Sequence, residues 1–228
     1  YMKKILVSII LYFFLSVNSF SHLEHYSEVN YLEYDLFRNN DLIGSHKYEF
    51  VRNNEKLTVK SVVNFKITKL GIDLYKYFAE SNENYEINMF SSFDSQTIQN
   101  KKEKYVKISL NKDKNKLLID GSSYKGETDI NHMVGTWWNH EIVKAKAQIS
   151  AISGRIIEQK VEFLGKKQIE LNGKNYEALH FKFLSSDESL PENKKLNTDI
   201  WYDAKTLIWL KARFVKQGNW EYRLKKHN

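Results

Sequence analysis

The chain has 228 residues, a formal charge of +7, one proline, no cysteine and a mean hydropathy of −0.56. The missing cysteines exclude a disulfide framework, a thiolate metal centre, a cysteine nucleophile and lipid attachment through a thiol. Cations are interleaved with acids, as in "KKEK" (101–104) and "NKDKNK" (111–116), which reads as a solvated face, so no nucleic-acid partner is expected.

Taken in chain order, the first signal is Met2 with Lys3 and Lys4, the apolar run Ile5 to Val17, and small residues at Ser19 and Ser21. This is the pattern of a secretory signal peptide, and the run is shorter than the roughly 20 apolar residues of a spanning helix. The expectation is a signal peptide over residues 1–21 and a single β domain over 22–228, exported to the periplasm and not integral to the membrane once the signal is removed. A cut after Ser21 would leave His22 at the new N-terminus with His25 nearby, a chelating pair in principle. Chain ends rarely hold such geometry, and no metal or other cofactor is expected.

From Tyr31 onward the pattern has period two. In "KLTVKSVVNFKI" (56–67) Leu57, Val59, Val63, Phe65 and Ile67 share one face, while Thr58, Lys60, Asn64 and Lys66 share the other, the signature of a half-buried antiparallel strand. The same alternation predicts strands at 31–37, 45–51, 74–80, 104–110, 116–121, 156–164 and 176–184. Polar turns separate them at 38–41, 52–55 and 111–115, and Asn172-Gly173 fits a two-residue type I′ turn. The segment 129–150 breaks the alternation. Its "GTWWNHE" (135–141) leads into a short helix expected to start near Asn139, whose side chain can cap the first turn. The last strands are 197–203, 207–215 and 219–224, with a hairpin turn expected at Asp203. In 207–215, Ile208, Leu210, Ala212 and Phe214 fall on one face, with Trp209, Lys211 and Arg213 on the other. The fold class is mainly β: one curved antiparallel sheet, a half-barrel or barrel meander of about ten to twelve strands, with one or two short helices.

The motifs "YDLFRNNDLIGSHKYEF" (34–50), "TWWN" (136–139) with "SGRI" (153–156), and "DIWYD" (199–203) resemble those of an exported bacterial family of unknown function. The C-terminal "DIWYDAKTLIWLKARF" is more weakly similar to the half-barrel carriers of the lipoprotein-localisation type. The resemblance implies a strongly curved antiparallel sheet with little helix, and it brings no catalytic residues. Its matching positions are Tyr34, Asp35, Gly44, His46, Trp138, Asn139, Gly154, Asp199, Trp201, Tyr202 and Asp203.

Two groups follow. The structural positions are Asp35, Gly44, Gly154, Asp199, Tyr202 and Asp203, with Gly44 expected to supply positive φ in a tight turn. The candidate ligand-facing set is His46, Tyr34, Tyr48, Tyr77, Trp138, Asn139 and Trp201. Trp137 and Trp138 are adjacent and must point apart, so one can plug the interior while the other lines a pocket. Asn139 is most economically a cap, and a lone histidine on an apolar face, like His46, is most often a core residue with one hydrogen bond. No catalytic residues or metal ligands are assigned: there is no nucleophile elbow, phosphate loop or ligand spacing. The leading expectation is a periplasmic protein that binds a lipid or other amphiphile on the concave face. The alternatives are an envelope protein acting through a protein partner, an enzyme using His46 with Asp35 or Asp199, and an outer-membrane barrel, which alternation alone cannot separate from a core-facing sheet.

Overall fold

Alternating faces joined by short turns build a meander, and the structure, a computed structural model, describes residues 23–228 of it. The leader expected over residues 1–21, and His22, lie outside the described residues. The strands are β1 (Tyr31–Arg38), β2 (Asp41–Asn53), β3 (Lys56–Lys69), β4 (Ile72–Glu86), β5 (Met89–Gln99), β6 (Lys102–Asn111), β7 (Lys116–Gly121), β8 (Lys125–Asp129), β9 (Met133–Val134), β10 (Ala147–Ile149), β11 (Ile156–Leu171), β12 (Lys174–Ser185), β13 (Asn197–Asp203), β14 (Trp209–Val215) and β15 (Asn219–His227).

All lie in one curved sheet ordered β8 back to β1, then β15 back to β9. The pairing of β1 with β15, Asp35 opposite Arg223, joins the two halves of the chain. Every pairing is antiparallel except β9 with β10. The sheet remains open between β8 and β9, but curvature brings its ends together. Ser123 N donates to Ser153 O at 2.8 Å and Ser95 Oγ to Ala151 O at 2.5 Å. At this seam a Cβ on Gly121 would stand 2.6 Å from Ser153 O, and Gly154 adopts φ +76°.

Because the strands alternate in direction, the connections sort into two rims. The turns after β1, β3, β5, β7, β10, β12 and β14 lie at one end, here called the mouth. The other end is closed by residues 23–29 and by the segment 135–146. The tight turns use positive φ at both centres: Asn39-Asn40, Leu70-Gly71, Ile87-Asn88 and the anticipated Asn172-Gly173.

Four readings of the sequence change. Among the described residues the strands number fifteen, beyond the ten to twelve expected; β5 lacks the apolar alternation because its inward residues Ser95 and Thr97 are polar. The expected helix is one 3₁₀ turn, His140–Lys144; Asn139 does cap it, its Oδ1 accepting from Glu141 N at 3.1 Å, but Ala147–Ile149 then pairs with β11. Gly44 is not a positive-φ residue. It is required by close approach of β2 to β3, since a Cβ would sit 2.1 Å from Asn64 O. In β14 a register shift lets Trp209 face Tyr202 and the interior, on the same side as Ala212 and Phe214.

Candidate functional site

Inside the sheet, the even positions of β2 and the odd positions of β3 and β4 point inward. They carry His46 and Tyr48; Ser61, Val63 and Phe65; and Tyr77, Ala79 and Ser81. Together with Thr97, Trp137, Ile157, Leu196, Phe214 and Tyr222 they wall a cavity of about 340 Å³ opening at the mouth, at the lower end of the roughly 300–1,000 Å³ of small-molecule sites. Arg155, Lys194, Lys195 and Lys216 stand around it on the mouth-end connections.

His46 is the histidine of the inner wall, beside the neutral polar groups of Ser61, Ser81 and Thr97. Its Nε2 shares a 2.8 Å hydrogen bond with Ser61 Oγ, while Nδ1 is buried with no protein partner. The ring is 4.2 Å from Tyr48 and about 6 Å from Tyr34, Trp209 and Tyr222. This apolar enclosure disfavours the imidazolium and holds the pKa down at about 3. At neutral pH His46 is therefore a neutral hydrogen-bonding group, able to donate or accept according to tautomer.

Below the cavity, "GTWWN" crosses the lumen as a floor held from several strands. Tyr48 OH donates to Thr136 O at 2.5 Å, and Tyr202 OH to Trp137 O at 2.9 Å. Glu83, on the inward face of β4, accepts from Tyr85 OH at 2.6 Å, Trp138 Nε1 at 2.9 Å and Thr136 Oγ1 at 3.0 Å. Burial pushes its carboxyl above the usual value, against the pull of those three donors. Trp137 sits at φ +61°, and this left-handed residue sends the two indoles apart. Trp137 faces the cavity, edge-on to Trp209 and Tyr222. Trp138 is 0% exposed, edge-on to Tyr26, Phe50 and Tyr85.

A family model for a domain of unknown function, DUF6134, matches residues 34–225. This chain belongs to the DUF6134 family. Among solved structures it is similar to a β-barrel-like protein of the domain of unknown function DUF1849 from Brucella abortus. That likeness has a TM-score of 0.62 at 13% identity, covers 88% of this chain and 97% of that one, and shows a shared fold. A DUF1329 family protein from Desulfovibrio piger aligns over 91% of this chain and 90% of its own with 9% identity, but its TM-score of 0.22 carries no argument. No curated protein matches the sequence.

The sequence-derived candidates separate clearly on the DUF6134 fold. His46, Tyr48 and Tyr77 meet in the cavity. Tyr34 lies beneath them, stacked on Trp209 at 4.2 Å with its hydroxyl donating to Trp209 O at 2.8 Å. Trp138, read as the ligand-facing indole, is instead the plug, and Trp137 takes the lumen position. Asn139 caps the 3₁₀ turn and borders a second, smaller cavity of about 200 Å³ near Phe90 and Met133. Trp201 falls on the outer face, because Ile200 and Tyr202 on either side point inward. It stacks on His180 at 4.3 Å with Lys211 over its ring.

The acids proposed to assist His46 are likewise outside. Asp35 pairs with Lys225 at 3.2 Å, while Asp199 accepts from Lys182 and His180, each at 2.8 Å. Neither shares the inward face with His46. Asp203 behaves as the predicted turn former, its Oδ1 accepting from Lys205 N and Thr206 N. His25 packs edge-on against His140, and among the described residues no cluster of three or more histidines and acids could hold a metal.

Sequence reasoning missed Trp137, Ser61 and Glu83. The parity that selected Val59, Val63 and Phe65 also selects Ser61. In β4 the parity of Tyr77, Ala79 and Tyr85 selects Glu83. A serine or glutamate inside an otherwise apolar face was the available signal.

Proposed function

We propose that this DUF6134 protein is an exported, periplasmic binding protein. It takes an apolar or amphiphilic ligand, such as a lipid, into the mouth of the lumen and carries out no chemistry on it. The observation that carries the reading is the cavity itself. Its walls combine Val63, Ala79, Ile157, Phe214 and aromatic rings with a few neutral polar side chains, it is floored by "GTWWN", and two of those polar groups, His46 at Nδ1 and Thr97 at Oγ1, are buried without a protein partner. Burying apolar ligand surface is worth roughly 25 cal/mol per Å², and His46 Nδ1 would orient a hydroxyl or carbonyl within that apolar wall. The leader pattern of residues 1–21 supports export.

Two rivals are less favoured. A His46–Asp enzyme lacks its acid, since Asp35 and Asp199 face outward. A membrane-spanning barrel would have to place Lys47 and Lys60, exposed in mid-strand on β2 and β3, at lipid depth, at about 2–4 kcal/mol per lysine.

Native mass spectrometry of protein from its own host, before and after organic extraction, tests the proposal. The expected result is a discrete extractable mass and uptake of a fluorescent fatty acid by the stripped protein. Loss of that uptake in Ala79→Trp, which fills the cavity, would locate it. A clean mass and no probe uptake would overturn the reading and favour an envelope protein acting through protein contacts.

A further inference from the structure

The mouth rim carries apolar side chains that the core does not use. Leu70, at the tip of the β3–β4 turn, is 93% exposed; Ile72 and Leu74 follow at 66% and 56%, Leu42 beside the β1–β2 turn is 61% exposed, and Val215 before the β14–β15 turn is 78% exposed. These three connections succeed one another along the rim, because β4, β3, β2, β1, β15 and β14 are consecutive in the sheet.

Turn geometry does not explain the leucine. Leu70 adopts φ +51°, a region where asparagine and glycine are the cheap choices, and the equivalent first positions of two other turns are Asn39 and Asn172. A branched apolar side chain is therefore held in water on a backbone that disfavours it. Along these three connections the cations Arg38, Lys66, Lys69, Lys76 and Lys216 outnumber the acids Asp41 and Asp73. Lys69 and Lys216 are exposed beside the apolar tips, and Lys66 and Lys76 share the single acid Asp73.

One turn of the opposite rim, β4–β5, provides a local contrast, while lysines stand on other connections of that rim, Lys112 and Lys205 among them. Ile87 and Met89 are also exposed, at 68% and 55%, but the charges flanking that turn are Glu55, Glu86 and Lys56, and Lys56 is paired with Glu86.

We infer that the mouth rim docks on an anionic lipid bilayer, with Leu70, Ile72 and Leu74 inserted at headgroup depth and the lysines on the lipid phosphates, so that the lumen opens toward the membrane. Apolar tips beside cations are the combination that binds such surfaces, through buried area plus attraction to negative lipid. The docking supplies a source for the proposed ligand, yet it stands on different residues from the cavity and can fail separately.

Since the chain contains no cysteine, Leu70→Cys and Ile87→Cys each carry one nitrobenzoxadiazole fluorophore, on opposite rims. With phosphatidylglycerol-containing vesicles, the label at 70 should brighten several-fold and shift to shorter wavelength, while the label at 87 should not respond. Phosphatidylcholine vesicles should give a much smaller change.

In the unlabelled protein, Leu70→Ser combined with Ile72→Ser should lower vesicle co-sedimentation by roughly tenfold or more. Lys69→Gln and Lys216→Gln should each lower it about fivefold at low salt. Circular dichroism of each variant verifies the fold. No sedimentation with either vesicle type, or an equal response from both labels, would overturn the inference. Fatty-acid uptake measured without vesicles reports on the lumen alone, so failure of the ligand reading is scored independently.

Discussion

The two ends of the lumen are made from the same kinds of residue and behave in opposite ways. At the closed end Trp138, Tyr26, Phe50 and Tyr85 pack edge-to-face, and the polar atoms they bury are paired, Trp138 Nε1 and the Tyr85 hydroxyl both on Glu83. Toward the mouth, Tyr77, Phe214 and Tyr222 leave a gap, and His46 Nδ1 is left without a partner. Aromatic content therefore does not distinguish a plug from a pocket. What distinguishes them is whether the buried polar groups are satisfied and the volume filled: satisfied groups in filled space give stability, and an open group beside empty space gives a place to bind.

The sharpest way to break this comparison is at the plug. Trp138→Ala removes the largest fully buried side chain of the closed end and one donor to Glu83, and should cost about 3–5 kcal/mol in urea unfolding. A loss under about 1 kcal/mol would mean that the floor is not load-sharing with the core.

Next in size is the pH dependence of stability. The folded pKa of His46, about 3, lies below its unfolded value of 6.5, so its contribution is fully present above 6.5 and is withdrawn as pH falls toward 3, by up to about 1.4 kcal/mol per pH unit. Glu83 runs the other way: its folded pKa is raised above 4.5, so it withdraws stability as pH rises past 4.5. His46→Gln should flatten the acid limb measured by denaturation at a series of pH values, and an unchanged limb would show that His46 is protonated or hydrated in the native state.

Glu83→Gln, at neutral pH, replaces one acceptor oxygen by a donor facing the Tyr85 hydroxyl or the Trp138 and Thr136 pair. It should cost about 1–3 kcal/mol, readable as a lowered melting temperature. Smallest is Ser61→Ala, which strips the partner from His46 Nε2 and should cost about 1 kcal/mol. It should change fatty-acid affinity more than stability, whereas Trp138→Ala should do the reverse. If both variants shifted stability and affinity in proportion, the two ends would be one cooperative unit, with no separate plug and pocket.

Much of this was legible before the structure. The strands at 56–67, 104–110 and 116–121, the Asn172-Gly173 turn, the Asn139 cap and the Asp203 turn follow from side-chain period and from backbone preferences within a few residues. The cavity is half legible: parity puts His46, Tyr48 and Tyr77 on inward faces, and the same parity holds for Ser61 and Glu83, whose polar side chains mask it because they lack the apolar signature of an inward position.

The sequence by itself determined strand faces, turn chemistry and the curved antiparallel class, since these are local properties of alternation and φ preference. Only the tertiary structure decided which indole plugs and which lines, because that depends on the left-handed Trp137 backbone and on Glu83, far away in the chain, accepting from Trp138. It also decided that Trp201, Asp35 and Asp199 face outward while Trp209 faces inward, since these outcomes depend on register and on a one-residue shift between β13 and β14, which no local pattern encodes.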